Sequence, residues 1–201
     1  TVKGWNLPAE KLTLETGATG PAVRRATLKR ADGSTTSVSY SVDTLPESLD
    51  AEPNDDEKGA QRIELPRIVN GRIGKPGDED LFRFDGKAGA EVVAEVLARS
   101  LQSPLDSLLR LTDSTGRVVA WNDDFEHKQG DLRVDMGPGT HHADSYLRAK
   151  LPQDGAYYVR LADAQRQGGE SYAYRLRISA PRPDFVLAVT PSTINMRGGV
   201  A

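Results

Sequence analysis

A period of two runs through most of this chain. In "SYAYRLRIS", Tyr172, Tyr174, Leu176 and Ile178 share one parity while Ala173, Arg175 and Arg177 share the other. That is the alternation of a half-buried strand, not the 3.6-residue spacing of a helix. It recurs in "YYVRLAD" (Tyr157, Val159 and Leu161 against Tyr158 and Arg160), "DLFRFD" (Phe82, Phe84), "EVVAEVLAR" (Val92, Ala94, Val96), "SLLRLTD" (Leu109, Leu111) and "RVVAWND" (Val119, Trp121). Adding "RIELPRIVNGRI" and "YLRAKL" gives about eight strands between residues 61 and 180. The turns "KPGDED", "DGKAGAE", "DSTGR", "PQDGAYY" and "RQGGES" separate them, each carrying Gly where the chain reverses. "EVVAEVLARSLQ" has the Glu and Ala content of a helix, but its Val92, Ala94, Val96 spacing and short flanking turns place it as a strand. Many short strands and few helices specify an all-β, antiparallel β-sandwich of jelly-roll type. Trp121 is expected in its core.

Composition changes along the chain set the expected boundaries. Residues 1–45, with strands in "KLTLET", "AVRRATLKR" and "TTSVSYSVD" around an "ADGS" turn, read as the end of a preceding β-module or a docked β-segment. Residues 46–56 read as an acidic linker and 57–180 as the sandwich. Residues 181–201, Pro-rich and then "VLAVTPSTINMRGG", read as a linker and the start of a following β-module. The missing initial Met and the unfinished pattern at "NMRGGVA" lead us to expect a segment of a longer protein.

Twenty-nine acids against 26 bases leave a net charge of −3, without the basic field of a nucleic-acid binder. No apolar run approaches the ~18 residues of a membrane span. "TVKGWNLPAEK" has no signal-peptide apolar region. The absence of Cys excludes disulfides, thiolate zinc sites and a cysteine nucleophile. "EHKQG" and "THHADS" fail the His-Glu-x-x-His spacing, no G-x-S-x-G elbow occurs, and "GRIGKPGD" lacks the spacing of a P-loop.

Two acidic clusters carry the chemistry. The first is Asp50, Glu52, Asn54 and Asp55 in "DAEPNDD", together with Asp78 and Asp80 in "GDED". A solvated linker and a hard-cation site are both consistent with it. Calcium takes six to eight oxygens and tolerates irregular geometry, and Asp80 shares its strand face with Phe82 and Phe84, so it sits at the core's rim, where a carboxylate needs a partner. An EF-hand is excluded, because Lys58 occupies a ligand position and the closing Glu is absent. The second cluster is Asp106, Asn122, Asp123, Asp124 and Asp144, at strand ends flanking a long loop. Metal binding and simple Asx-turn chemistry fit it equally. His127, His141 and His142 lie in or beside that loop and read as surface residues, with a transition-metal site beside Asp144 as the alternative. Tyr158, Arg160, Arg175 and Arg177 take outward parities on consecutive strands. They form either a patch for a polysaccharide or protein or an ordinary solvated face.

The order "EPNDD", "GDEDLFRF", "SPLDSLLRLTDSTGRVVAWNDD", "HADSYL", "LPQDGAYYVRLAD", "ESYAYRLRI" resembles the bacterial pre-peptidase C-terminal domain, over roughly Asp50 to Ser179. That resemblance implies a non-catalytic β-sandwich module of a secreted or cell-surface protein, such as a protease or collagenase, often calcium-stabilised and sometimes substrate-binding. It further implies that the acidic segment and the G-D-x-D acids hold Ca²⁺ jointly. Glu52, Asn54 and Asp55 match the former and Asp78 and Asp80 the latter, while Asp50 stands where other members have an acid two residues earlier. The expected partners are neighbouring domains of the same chain, with an extracellular polysaccharide or protein as a further ligand, and no nucleic acid. The alternative is a carboxylate-based hydrolase domain, which needs two acids ~5–9.5 Å apart across a cleft. Crowding in groups suits a cation better.

Overall fold

The computed structural model describes residues 12–17, 19–30, 32–124, 128–129, 132–133 and 142–182. Its strands are β1 (Val23–Lys29), β2 (Thr35–Ser41), β3 (Glu47–Leu49), β4 (Gln61–Arg62), β5 (Arg67–Arg72), β6 (Glu79–Gly86), β7 (Glu91–Leu97), β8 (Ser107–Asp113), β9 (Val118–Asn122), β10 (Lys128–Gln129), β11 (Leu132–Arg133), β12 (Tyr146–Lys150), β13 (Gly155–Asp163) and β14 (Ala173–Ser179). A 3₁₀ turn, Arg99–Leu101, follows β7.

Two five-stranded sheets make the sandwich, ordered β12-β7-β14-β5-β3 and β4-β6-β13-β8-β9. The inward parities of both sheets meet between them: Val69 and Ile73, Phe82 and Phe84, Ala94 and Val96, Leu109 and Leu111, Tyr157, Val159 and Leu161, and Tyr174, Leu176 and Ile178. The rings of Phe84 and Tyr157 stack with centroids 5.8 Å apart. Burying each such side chain stabilises the fold by about 1.5–3 kcal/mol, so the alternation read from sequence is the core.

Four features differ from expectation. β3 and β4 pair in parallel, with β5 and β6 respectively, while the other pairings are antiparallel. The connections joining each of these pairs cross between sheets, which allows parallel neighbours. Residues 46–56, read as a linker, begin as that edge strand β3. Residues 12–17 of "KLTLET" form no strand, and β1 and β2 stand as a separate two-stranded sheet. Trp121 is 61% exposed, not in the core. A bulge in the β8–β9 ladder breaks the alternation: Leu111 pairs with Ala120 and Thr112 with Val118. Val119 still packs on the core, but Trp121 pairs with the outward-facing Arg110. The expected following β-module, from 183 onward, lies outside the described residues.

Candidate metal centre

β3 ends at Leu49, and the chain then turns across the end of the sandwich toward β4. Its path is held by backbone and side-chain bonds: the Asp50 amide donates to Asn70 O at 2.9 Å, the Leu81 amide to Asn54 O at 3.1 Å, and the Ala51 amide to Gln61 Oε1 at 3.0 Å. These bonds carry Asp50, Glu52 and Asn54 to the start of β6, where Asp80 points inward. One carboxylate oxygen each from Asp50, Glu52 and Asp80 lies within 4.8 Å of the others.

Asn54 and Asp80 are fully buried. The Asn54 amide nitrogen donates to Asp50 Oδ1 at 2.7 Å, and the Tyr174 hydroxyl donates to Asp80 Oδ2 at 2.5 Å. Asn54 Oδ1 and Asp80 Oδ1 are left buried with no hydrogen-bond partner. An unsatisfied buried oxygen costs about 1–3 kcal/mol, and here two lie at a site that also gathers three carboxylates.

Burial pushes the Asp80 carboxyl up to about 8, against the lowering effect of the Tyr174 hydrogen bond and with the charges of Asp50, Glu52 and Asp78 adding to it. Burial, then the Glu52 charge, pushes Asp50 up to about 6. Burial first, then the charges of Asp80 and Asp50, raises the Tyr174 phenol far above its ordinary value. Lys75, engaged first by Asp55 and Asp78, feels Glu52 as the weakest of these influences. Among the described residues no Lys, Arg or His pairs with Asp50, Glu52 or Asp80.

The other two expected ligands do have a cation. Lys75 Nζ lies 3.8 Å from Asp55 Oδ2 and 3.5 Å from Asp78 Oδ1, and Asp55, followed by Asp78, raises its pKa. Asp78 Oδ2 also accepts the Gly74 amide at 2.6 Å. Six residues of one expected cluster thus divide into Asp55 and Asp78, which share the single charge of Lys75, and Asp50, Glu52, Asn54 and Asp80, which form no ion pair with Lys, Arg or His among the described residues. The latter set suits a hard cation: oxygen donors only, three of them carboxyls that a bound cation would hold ionised. Asp50, Glu52 and Tyr174 also line a solvent-open cavity of about 780 Å³ beside β2, which offers an entry path.

Two contributors were not singled out in the sequence. Strand parity places Tyr174 in the core, and only its hydroxyl distinguishes it from a plain apolar position. Gly71 lies within a strand pattern. A Cβ there would stand 2.3 Å from the Tyr174 hydroxyl and 2.7 Å from Asp50 Cβ, so the absence of a side chain lets both approach.

The second acidic cluster does not converge. Asp144 caps the 3₁₀ turn, its carboxylate accepting the amides of Ala98 (3.0 Å), Arg99 (2.7 Å) and Ser100 (3.1 Å). Asp106 receives Gln165 Nε2 at 3.4 Å. Asn122 Oδ1 accepts the Tyr146 amide, its Nδ2 donates to Asp124 O, and Asp123 is exposed. Among the described residues the acids that gather in threes are Asp50, Glu52 and Asp80. His142 is exposed; His127 and His141 lie outside the described residues.

The basic and aromatic patch splits between the sheets, because β13 and β14, consecutive in sequence, belong to different ones. Arg175 is buried against Glu47 (2.6 Å) and Asn70 (2.9 Å), and Arg177 pairs with Asp43 at 3.1 Å. Arg175 thus ties β3, and Arg177 the segment before it, to their sheet. Tyr158 and Arg160 face outward from the opposite side.

Comparison with known proteins adds three findings. No protein-family model matches the chain. A curated relative, a "probable subtilase-type serine protease" of Deinococcus radiodurans, is 35% identical over 114 residues, which cover 55% of this chain and 14% of that protein. Among solved structures, the pre-peptidase C-terminal domain of a collagenase from Bacillus anthracis matches with 14% identity and a TM-score of 0.41, over 68% of this chain and all of that one.

The chain resembles a pre-peptidase C-terminal domain. A periplasmic inhibitor of g-type lysozyme from Aeromonas hydrophila also matches, at 15% identity and a TM-score of 0.39, over 67% of this chain and 99% of that one. Identities and TM-scores this low transfer no residue's role. No helix among the described residues is long and apolar enough to cross a membrane.

Proposed function

We propose that the chain is a non-catalytic accessory module of a larger extracytoplasmic protein, and that Asp50, Glu52, Asn54 and Asp80 hold a calcium ion in it. One observation carries the metal reading: two fully buried oxygens, Asn54 Oδ1 and Asp80 Oδ1, lack partners beside carboxyls that form no ion pair with Lys, Arg or His among the described residues. When bound, calcium supplies positive charge. The residues themselves then tie the segment from Asp50 to Asn54 onto β6, and so hold β3 and whatever precedes it against the sandwich.

A hydrolase is disfavoured by the same geometry. Asp80 is fully buried and bonded to Tyr174, so it does not reach a substrate across a cleft. The likeness to a segment of a subtilase-type protease supports a module carried beside a catalytic domain and a place outside the cytoplasm.

Thermal unfolding of the metal-stripped chain tests the reading. Extracellular calcium modules bind with dissociation constants of ~10⁻⁴–10⁻³ M, and a ligand at ~100-fold excess adds roughly 2.7 kcal/mol. Millimolar Ca²⁺ is expected to raise the Tm and chelator to lower it, with the response absent in Asp80→Asn. An unchanged Tm on adding calcium to the stripped protein would refute the site.

A further inference from the structure

The two outer faces of the sandwich differ. Both are partly covered by their own chain: Asp43 and Glu47 engage Arg177 and Arg175 on the β12-β7-β14-β5-β3 sheet, and the loop through Asn54 and Asp55 covers Leu81 and meets Arg160 at the β6 side of the other. The face of the β4-β6-β13-β8-β9 sheet carries aromatic rings and guanidiniums in register. Trp121 on β9 stands opposite Arg110 on β8, and Arg110 opposite Arg160 on β13. In the next row Tyr158 lies between Thr112 and Arg83, and Arg83 lies opposite Arg62.

The ion pairs on this face leave one guanidinium over among the described residues. Glu79 pairs with Arg160, and Asp85 serves both Arg62 (2.8 Å) and Arg83 (3.6 Å). Among the described residues no acid pairs with the exposed Arg110. Like charges directly opposite on adjacent strands are destabilising, and a large ring that is 61% exposed buries little. Trp121 and Arg110 therefore offer stability little, while Arg160 is engaged by Glu79; the row has the composition of a recognition surface, in which Trp, Tyr and Arg are enriched.

We propose that this face binds an anionic polysaccharide. Strands lie ~4.8 Å apart, so the row from Trp121 to Arg160 spans about 10 Å, roughly the length of a disaccharide. A sugar ring packs its C–H face on the Trp121 indole. The planar guanidinium of Arg110 takes the carboxylate or sulfate of the neighbouring sugar through two parallel hydrogen bonds, and Tyr158 extends the apolar surface into the second row. Asp123 and Asp124, both exposed, follow Trp121 and bound the face with negative charge at that end. A neutral glycan leaves Arg110 without its counter-charge. The proposal goes beyond the cation site and does not depend on it.

Affinity electrophoresis of the whole chain, in chelator so that metal plays no part, tests the assignment with polygalacturonate, chondroitin sulfate, neutral dextran and poly-glutamate. Retardation by an anionic polysaccharide is expected, with none by dextran. Arg110→Gln and Trp121→Ala are each expected to weaken it at least tenfold, about the loss of one interface anchor, with the Tm unchanged. Three results would overturn it: no retardation by either anionic polysaccharide, retardation undiminished in the Arg110→Gln, Trp121→Ala double variant, or poly-glutamate binding as strong as polysaccharide. The last would assign the face to acidic peptides.

Discussion

The hydroxyl of Tyr174, on β14, donates to Asp80 on β6 across the interior of the sandwich, at 2.5 Å. It is the protein's only hydrogen bond to that carboxylate among the described residues, and it satisfies one oxygen while leaving the other bare. The two sheets are thus joined by a buried polar contact, as Ser107 and Ser145 join them elsewhere. The second acceptor of Asp80 is available to a cation.

Tyr174→Phe keeps the ring's packing and removes that donor. The metal-stripped protein is expected to lose about 1–3 kcal/mol, the cost of a buried polar group deprived of its bond. Denaturant titration with chelator measures it. A loss below ~0.5 kcal/mol would mean that Asp80 does not depend on the hydroxyl.

Gly71→Ala places a Cβ 2.3 Å from the Tyr174 hydroxyl. Tyr174 must shift, at the ~1–3 kcal/mol typical of overpacking, and the response to calcium is expected to shrink with it. Because both changes act on one contact, Gly71→Ala combined with Tyr174→Phe should cost less than the sum of the two. Strict additivity in the double-mutant cycle would show that they do not act through the same contact.

Asp144→Ala separates the two acidic clusters. Removing a carboxylate that caps three amides is expected to cost about 1–2 kcal/mol, while the calcium-induced rise in Tm stays at its wild-type size. A calcium response lost in this variant would move the metal to the second cluster.

Acid is expected to loosen the segment before β3. Burial works to raise the Asp43 carboxyl, but the amides of Leu45 and Thr44 and the Arg177 guanidinium outweigh it and hold it below 3.8. The hydrogen bond from Arg175, the largest influence, holds Glu47 below 4.5. Both groups are depressed on folding, so their contribution is present above those ordinary values and is lost as pH falls through the depressed ones. Hydrogen exchange at the Asp50 amide, which donates to Asn70, and at the Ile68 amide, which donates to Pro46, should lose protection on acidification before β13 does. Simultaneous loss would contradict a separately docked segment.

The sandwich was legible because strand parity is a local property. Side chains two residues apart share a face whatever the rest of the chain does, so Phe82, Leu109, Val159 and Leu176 were readable as core positions from spacing alone. Parity failed at Trp121, where a bulge on the edge strand turned the ring outward, and no local feature of "RVVAWND" marks that bulge.

By itself the sequence determined the strand content, the parity of each core residue and the concentration of acids before the first long strand and in "GDED". The tertiary structure alone decided which acids act together. Asp55 and Asp78 share the charge of Lys75 because the β5–β6 turn brings it to both. Asp50, Glu52 and Asp80 converge because a backbone bond from Asp50 to Asn70 and one from Leu81 to Asn54 bring the loop onto β6. Parity likewise gives the face of a strand but not its sheet, so only the fold could set Arg175 and Arg177 apart from Tyr158 and Arg160 and put Trp121 and Arg110 beside the latter. Charge compensation and sheet membership depend on contacts between residues distant along the chain, and local spacing does not encode those distances.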